Sequence, residues 1–229
     1  AWLPVAPLSA TRRCVKHARR SAVVRAFSVV PLWSARFSDG LRAGAVILGE
    51  RRTLRHDGGH ATGQGDEGGF APSLGSNQAA VEVIVRAIEK AGYRPGEDVA
   101  IALDPATTEL VVDGSGIDGA ATRYRLETEK RTLDSGELID LWADWVERYP
   151  IISIEDGLAE DDWAGWAEIT RRLGDRLQLV GDDLFVTHPD RLARGIEEGD
   201  DHSVLLKLHQ IGTVTEEVDA IALAHRGAR

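Results

Sequence analysis

From residue 76 onward, helix-like and strand-like segments alternate, and this order limits the fold more than any other feature of the sequence. Apolar residues recur at helical spacing after Ser76, which can cap a helix, again after Ser135, and from Trp163 to Leu173. A further helix is expected around Pro189 to Glu198. Short apolar runs typical of buried strands lie between these segments. Such an order favours parallel strands joined by right-handed helical crossovers. The sequence therefore predicts an α/β fold with a parallel, buried sheet.

Four of the predicted strands end in a charged residue. The strands are Val99–Asp104, Pro150–Glu155, Leu177–Asp182 and Ser203–Lys207. Neighbouring parallel strands place their carboxyl ends on the same rim of the sheet, so these four charged side chains are expected to converge. Each acid taken alone has an alternative interpretation, as the first residue of a solvated loop or as the cap of the next helix.

Three carboxylates held close together repel one another unless a cation compensates them, and hard oxygen ligands suit magnesium or manganese. Lys207 follows three apolar residues, so its stem is expected to be buried and its ammonium partly dehydrated, as in a general base. The alternative is a lysine paired with one of the same acids. The whole set would support proton abstraction next to a carboxylate.

Five separated strings resemble motifs of the enolases, in enolase order and spacing, over residues 65–229. The strings are GDEGGFAPSLGSNQAA from Gly65, ALDPATTEL from Ala102, YPIISIEDGLAEDDWAGW from Tyr149, LVGDDLFVTHPDRL from Leu179 and LLKLHQIGTVTE from Leu205. The first and last strings disfavour other superfamily enzymes such as racemases. The resemblance implies an α/β fold, an incomplete TIM-type (β/α) barrel of the enolase C-terminal domain.

The resemblance also implies a function: phosphopyruvate hydratase, the glycolytic lyase that reversibly dehydrates 2-phospho-D-glycerate to phosphoenolpyruvate. Glu67 matches the acid that helps to expel hydroxide, and Lys207 matches the base. Asp104, Glu155 and Asp182 match the ligands of Mg²⁺. A lysine base with magnesium stabilising the enediolate is the known arrangement of enolase-type sites, so this mechanism comes through the resemblance. The alternative is a non-catalytic enolase-like fragment or binding protein.

Composition narrows the partners and the location. The net charge of -10 argues against a general binder of nucleic acid or membrane surfaces. No run approaches the roughly 18 apolar residues that a membrane helix needs. The single cysteine, Cys14, fits a reducing compartment. We expect a cytoplasmic protein, with a cell-surface or secreted form left open, and the resemblance implies a homodimer.

Several residues near the predicted site are given no role in it. We expect solvated loop or helix-start positions for the neighbouring acids, which are Asp156, Glu160, Asp161, Asp162 and Asp183. His188 and His209 stand where enolases commonly carry asparagine.

The first 64 residues resemble enolases only in patches, so we place a boundary between 1–64 and 65–229. Residues 1–60 hold eleven Lys and Arg against three acids, a net charge of +8. The run Ala26–Pro31 resembles the enolase motif Glu-Phe-Met-x-x-Pro. In this comparison Ala26 replaces a site glutamate, and Arg25 replaces the preceding glutamine, which contacts the substrate. We expect a sequence read partly out of frame, which the underlying DNA would test; a transit peptide over residues 8–37 is the weaker alternative.

The sequence contains no methionine, and it reads as a fragment. The enolase resemblance stops just after the lysine strand. The phosphate-binding Arg and Ser, the second active-site lysine and the smaller N-terminal α+β domain of enolases are therefore expected to be absent from it.

Overall fold

The computed structural model describes residues 8–9, 24, 26–33, 36–57, 76–116, 121–199 and 203–227, and strands and helices alternate in it from residue 131 to residue 211. The elements are β1 (Leu8–Ser9), β2 (Ala26–Pro31), α1 (Phe37–Asp57), α2 (Asn77–Lys90), β3 (Val99–Asp104), β4 (Arg123–Leu126), β5 (Arg131–Asp134), α3 (Ser135–Arg148), β6 (Ile151–Glu155), α4 (Trp163–Leu173), β7 (Gln178–Gly181), α5 (Pro189–Glu198), β8 (Ser203–Val204), α6 (Leu208–Ile211) and α7 (Val214–Gly227). A 3-10 turn, Thr107–Leu110, follows β3.

The chain divides into two compact units. The first comprises Ala1–Asp104, Leu126–Arg131 and Asp144–Ile152, and the second comprises Pro105–Arg125, Thr132–Ala143 and Ser153–Arg229. Among the helices that the structure describes, none combines the length and the hydropathy that crossing a bilayer requires.

The first unit is built on antiparallel strands. β2 pairs with β1 on one side and with β3 on the other, and Ala26 lies opposite Asp104 in the register of β2 and β3. The inward residues of these strands, such as Val29 and Ile101, are fully buried. α2 begins because the Ser76 hydroxyl accepts a hydrogen bond from the Ala79 N–H at 3.1 Å, which satisfies one of the free donors of the first turn.

The second unit contains the parallel part of the sheet. Glu155 of β6 lies opposite Val180 of β7, and Val180 lies opposite Ser203 of β8. α4 connects β6 to β7 and buries Trp166 completely, while α5 connects β7 to β8 and packs against α7. This strand, helix, strand order places the loops after β6 and β7 at the same edge of the sheet.

The structure confirms much of the predicted order and corrects it in several places. β3 and α5 have the predicted bounds, and β6, β7 and β8 are parallel as expected. In the first unit, however, β2 pairs antiparallel with both β1 and β3, and no strand was predicted for the segment that forms β2. β5 was also missed; it pairs with β4 and carries mostly polar residues.

β8 is the third correction, because it ends at Val204 and not at Lys207. The Leu205 N–H still donates to the Gly181 carbonyl at 3.1 Å. The Lys207 N–H instead donates to the Thr187 hydroxyl at 2.9 Å, so a side chain takes the bond that a continuing strand would use.

Candidate active site

Asp156, the residue after β6, joins the loops that follow β6 and β7. Its carboxylate accepts hydrogen bonds from the Asp182 N–H at 3.0 Å and from the Asp183 N–H at 3.1 Å. Its carbonyl accepts the Thr107 N–H at 3.2 Å and the Thr107 hydroxyl at 2.9 Å. The side chain is buried, and burial raises the pKa of Asp156 to about 8, with the charges of Asp183 and Asp182 adding to the effect.

Three carboxylates of the second unit form an acidic cluster. Asp156, Asp182 and Asp183 each offer one oxygen, and these oxygens all lie within 4.8 Å of one another. Like charges at this separation repel each other, and two of the residues, Asp156 and Asp182, are buried. Carboxylate oxygens are the ligands that magnesium and manganese prefer, so the donor set fits a hard divalent cation.

Lys207 lies beside this cluster and contacts a predicted metal ligand. Its ammonium donates a hydrogen bond to one oxygen of the Asp182 carboxylate. The other oxygen accepts from the Gln210 side-chain amide at 2.7 Å. The Gln210 amide oxygen in turn accepts from the Thr187 hydroxyl at 2.8 Å. Asp182 is therefore held by two side chains that follow β8.

Of the predicted site residues, the structure brings Asp182 and Lys207 together in the second unit. Glu155 ends β6 in the same unit, as the sequence predicted, whereas Asp182 follows β7 directly, one residue beyond the end of the strand that was predicted to include it. Asp104 ends β3 in the first unit, opposite Ala26. Glu67 lies outside the described residues.

The environment of Lys207 differs from the expectation of a buried stem. Its side chain is 33% exposed, so it is only partly buried. The alternative that the sequence left open, a lysine paired with one of the acids, matches the observed contact with Asp182.

Asp156 was wrongly expected to be solvated, whereas Asp162 has the expected helix-start position, as the N-cap of α4, and is nevertheless buried. Asp156 is buried, as described above, and Asp162 is 8% exposed. The Asp162 carboxylate accepts bonds from the hydroxyls of Tyr124 and Ser135, each at 2.6 Å, and from the Gly165 N–H at 3.2 Å. Burial, and after it the Asp162 charge, raises the pKa of Tyr124. For Asp161 the structure confirms an exposed position, with its side chain 77% exposed.

Sequence reasoning assigned no role to Thr187 and Gln210. A weak signal existed for Gln210, because it follows Lys207 by three residues and so lies one helical turn away. Nothing in the sequence pointed to Thr187. Its hydroxyl contacts Lys207 and Gln210 from a turn in which Val186 and Thr187 adopt left-handed backbone conformations, with φ of 43° and 58°.

Parallel strands joined by helices, with charged residues after the strands, define an α/β protein of the TIM-barrel class, and the described strands supply part of such a barrel. Residues 2–228 match the family described as Enolase, C-terminal TIM barrel domain. The chain belongs to this family. Its fold is therefore the lyase-type fold of the enolase superfamily, and its acidic cluster is compatible with the divalent metal that this superfamily uses.

Proposed function

We propose that this chain carries an enolase-type site for the reversible dehydration of 2-phospho-D-glycerate to phosphoenolpyruvate. The observation that carries the proposal is the contact between Lys207 and Asp182 beside the acidic cluster, in a chain of the enolase family. In the proposed site Asp104, Glu155 and Asp182 hold Mg²⁺, and Lys207 and Glu67 move protons. Bound Mg²⁺ would supply positive charge opposite the substrate carboxylate.

The proton transfers follow from the two proposed roles. Lys207 in its neutral form accepts the proton from the carbon next to the substrate carboxylate, and the electron pair of that bond remains on the substrate. The pair then forms the carbon–carbon double bond as the hydroxyl leaves the adjacent carbon. Glu67 donates the proton with which that hydroxyl leaves as water.

The contact between Lys207 and Asp182 sets a condition on this mechanism. An ammonium bonded to a carboxylate holds its proton, and a base must release it. A cation held by Asp182 would compete with Lys207 for the same carboxylate, so loading of the site and release of the lysine are coupled in this proposal.

A non-catalytic enolase-like binding protein is the second candidate. Ala26 favours it, because this residue lies opposite Asp104 where the enolase resemblance expects a glutamate. Cytoplasmic location and a homodimeric state remain part of the leading proposal through the resemblance to enolases.

The test is formation of phosphoenolpyruvate from 2-phosphoglycerate and Mg²⁺ by the purified chain. We expect very slow turnover, because of Ala26, and its loss in Lys207→Ala. Lys90→Ala is the matched control, since Lys90 is an exposed residue in the last turn of α2. A folded chain without turnover would favour the non-catalytic candidate, and equal turnover in Lys207→Ala and Lys90→Ala would exclude Lys207 as the base.

A further inference from the structure

Arg191, the third residue of α5, joins the two loops that carry the acidic cluster. Its Nε donates a hydrogen bond to the Leu184 carbonyl, and its Nη2 donates to the Glu160 carbonyl. Leu184 follows Asp182 by two residues, in the loop after β7. Glu160 lies in the loop after β6, which begins at Asp156. One guanidinium therefore bonds to the backbone of both loops.

These two loops are joined a second time by the Asp156 carboxylate, which accepts the N–H groups of Asp182 and Asp183. Arg191 and Asp156 thus fix the same pair of loops through different backbone groups. Asp156 holds Asp182 directly through its N–H, and Arg191 holds the same loop two residues further on, at Leu184.

The loop after β7 needs such support because its backbone is strained. Val186 and Thr187 have φ of 43° and 58°. A β-branched residue in the left-handed region is an outlier that costs on the order of 1–3 kcal/mol, and it persists only where surrounding contacts determine it. The bond from Arg191 to the Leu184 carbonyl is one such contact.

The two carbonyl bonds matter more than the other contacts of Arg191. Its ion pair with Asp161, at 3.2 Å, involves a carboxylate that is 77% exposed, and such pairs contribute little. Its guanidinium also lies 5.1 Å from the centre of the Trp163 ring, but Arg194 lies on the same ring at 4.0 Å. Charge-assisted bonds to two carbonyls are what distinguish Arg191 from Arg194.

We propose that Arg191 is a positioning residue for the metal ligand Asp182: it holds the loop after β7 against the loop after β6, so that the carboxylates converge. This proposal rests on the proposed function only in taking Mg²⁺ as the bound cation. The contacts between Arg191 and the two loops do not depend on that function. Arg191 acts through the backbone and touches neither substrate nor cation.

The test compares Arg191→Met with Arg194→Met. Both changes remove a guanidinium from α5 and from the face of Trp163, and only the first removes the carbonyl bonds. Mg²⁺ affinity is measured by isothermal titration calorimetry, and exchange of the Asp182 and Asp183 amides by hydrogen exchange. For Arg191→Met we expect affinity about tenfold weaker, as for loss of other residues that orient metal ligands, and faster amide exchange. For Arg194→Met we expect less than about a twofold change.

Arg191→Lys provides a second test if Arg191→Met does not fold. A lysine keeps the charge and the contact with Trp163, but its single ammonium cannot reproduce the fork that reaches both carbonyls. We expect intermediate Mg²⁺ affinity and intermediate exchange.

Failure of the proposed function and failure of this inference give different results. If the unmodified chain binds no Mg²⁺, the metal site is refuted and amide exchange alone decides the role of Arg191. Faster exchange in Arg191→Met than in Arg194→Met supports positioning. Equal exchange in the two variants, or equal Mg²⁺ affinity in a chain that binds the ion, overturns it.

Discussion

At the scale of single residues, the loops after β6 and β7, which carry the acidic cluster and are called the acidic loops below, depend on buried carboxylates that bond to backbone N–H groups. Asp156 has a φ of 48°, which a non-glycine residue adopts only where surrounding contacts hold it. Its carboxylate satisfies two N–H groups of the loop after β7. Loss of that carboxylate would leave both donors without their acceptor, one of them buried and the other partly buried.

We therefore expect Asp156→Ala to lower the free energy of unfolding by about 2–5 kcal/mol, because each unsatisfied buried donor costs about 1–3 kcal/mol. Asp156→Asn keeps one acceptor oxygen and should lose less. Urea denaturation measures both. Asp161→Ala removes an exposed acid five residues along and should stay within about 0.5 kcal/mol. A loss in Asp161→Ala as large as in Asp156→Ala would contradict this account.

The exposed pair of Arg94 and Asp98 predicts a local pH dependence in the first unit. Arg94 donates from Nε at 2.9 Å and from its backbone N–H at 2.8 Å to one oxygen of Asp98. These hydrogen bonds, and after them the Arg94 charge, lower the pKa of Asp98 to about 2. A lowered folded pKa gives stability that is present above the usual value near 4 and is lost as the pH falls through about 2.

An NMR titration of the Asp98 carboxyl should therefore show a midpoint near 2. Arg94→Met should return that midpoint towards about 3.9, the value of an unperturbed aspartate. Arg131→Met, at an exposed position of β5, serves as the control and should leave the midpoint of Asp98 in place. An unshifted midpoint in Arg94→Met would refute the assignment.

At the scale of secondary structure, α5 combines two tasks. Its first turn carries Arg191, which bonds to both acidic loops, and its middle packs closely on the buried Phe185. Gly195 permits this approach, because a Cβ at that position would lie 2.6 Å from Cε1 of Phe185. Phe185 is 2% exposed and belongs to the loop after β7, so the packing of α5 also supports that loop.

We expect Gly195→Ala to destabilise the chain by about 1–3 kcal/mol through overpacking against Phe185. Gly49→Ala is the matched control. Gly49 also lies within a helix, α1, and a Cβ there would meet nothing within 4 Å. The control should be neutral or gain up to about 1 kcal/mol from helix propensity. Thermal unfolding of the two variants compares them, and a more stable Gly195→Ala would show that Phe185 can move aside.

At the scale of the whole molecule, net charge and exposed apolar side chains act against each other. The chain carries a net charge of -10 and has a pI near 5.2. Large apolar side chains are nevertheless exposed in both units, among them Phe37 at 67%, Val214 at 62% and Val218 at 55%. Mutual repulsion limits association through such residues, and it disappears when the net charge approaches zero.

We therefore expect self-association, followed by light scattering, to be strongest near pH 5.2 and to decrease as the pH rises to 7.5. At pH 7.5, Val218→Glu should reduce it further. Thr215→Glu adds the same charge to an exposed polar position of α7, so a smaller effect there would separate apolar contact from charge. Equal effects of the two variants would show that charge alone controls association.

The sequence by itself determined the elements whose signals are local. Helices are indicated by helical spacing, by the Ser76 cap and by the proline at the start of α5, and these signals depend on neighbouring residues alone. Apolar runs between the helices indicate β3, β6 and β7. The parallel order of β6, β7 and β8, and the position of Asp182 after its strand, follow from that alternation. The family strings then supplied the proposed roles of Lys207 and the metal ligands.

Only the tertiary structure decided which side chains surround those residues. Asp156, Thr187 and Arg191 reach the site through backbone bends and long-range hydrogen bonds that no periodicity encodes. Likewise, the antiparallel pairing of β2 with β3 depends on contacts between distant segments. Burial distinguishes Asp156 and Asp162 from the exposed Asp161. The sequence could not show this difference, because burial depends on how distant segments pack, and a run of acids has the same sequence pattern whether it is buried or exposed.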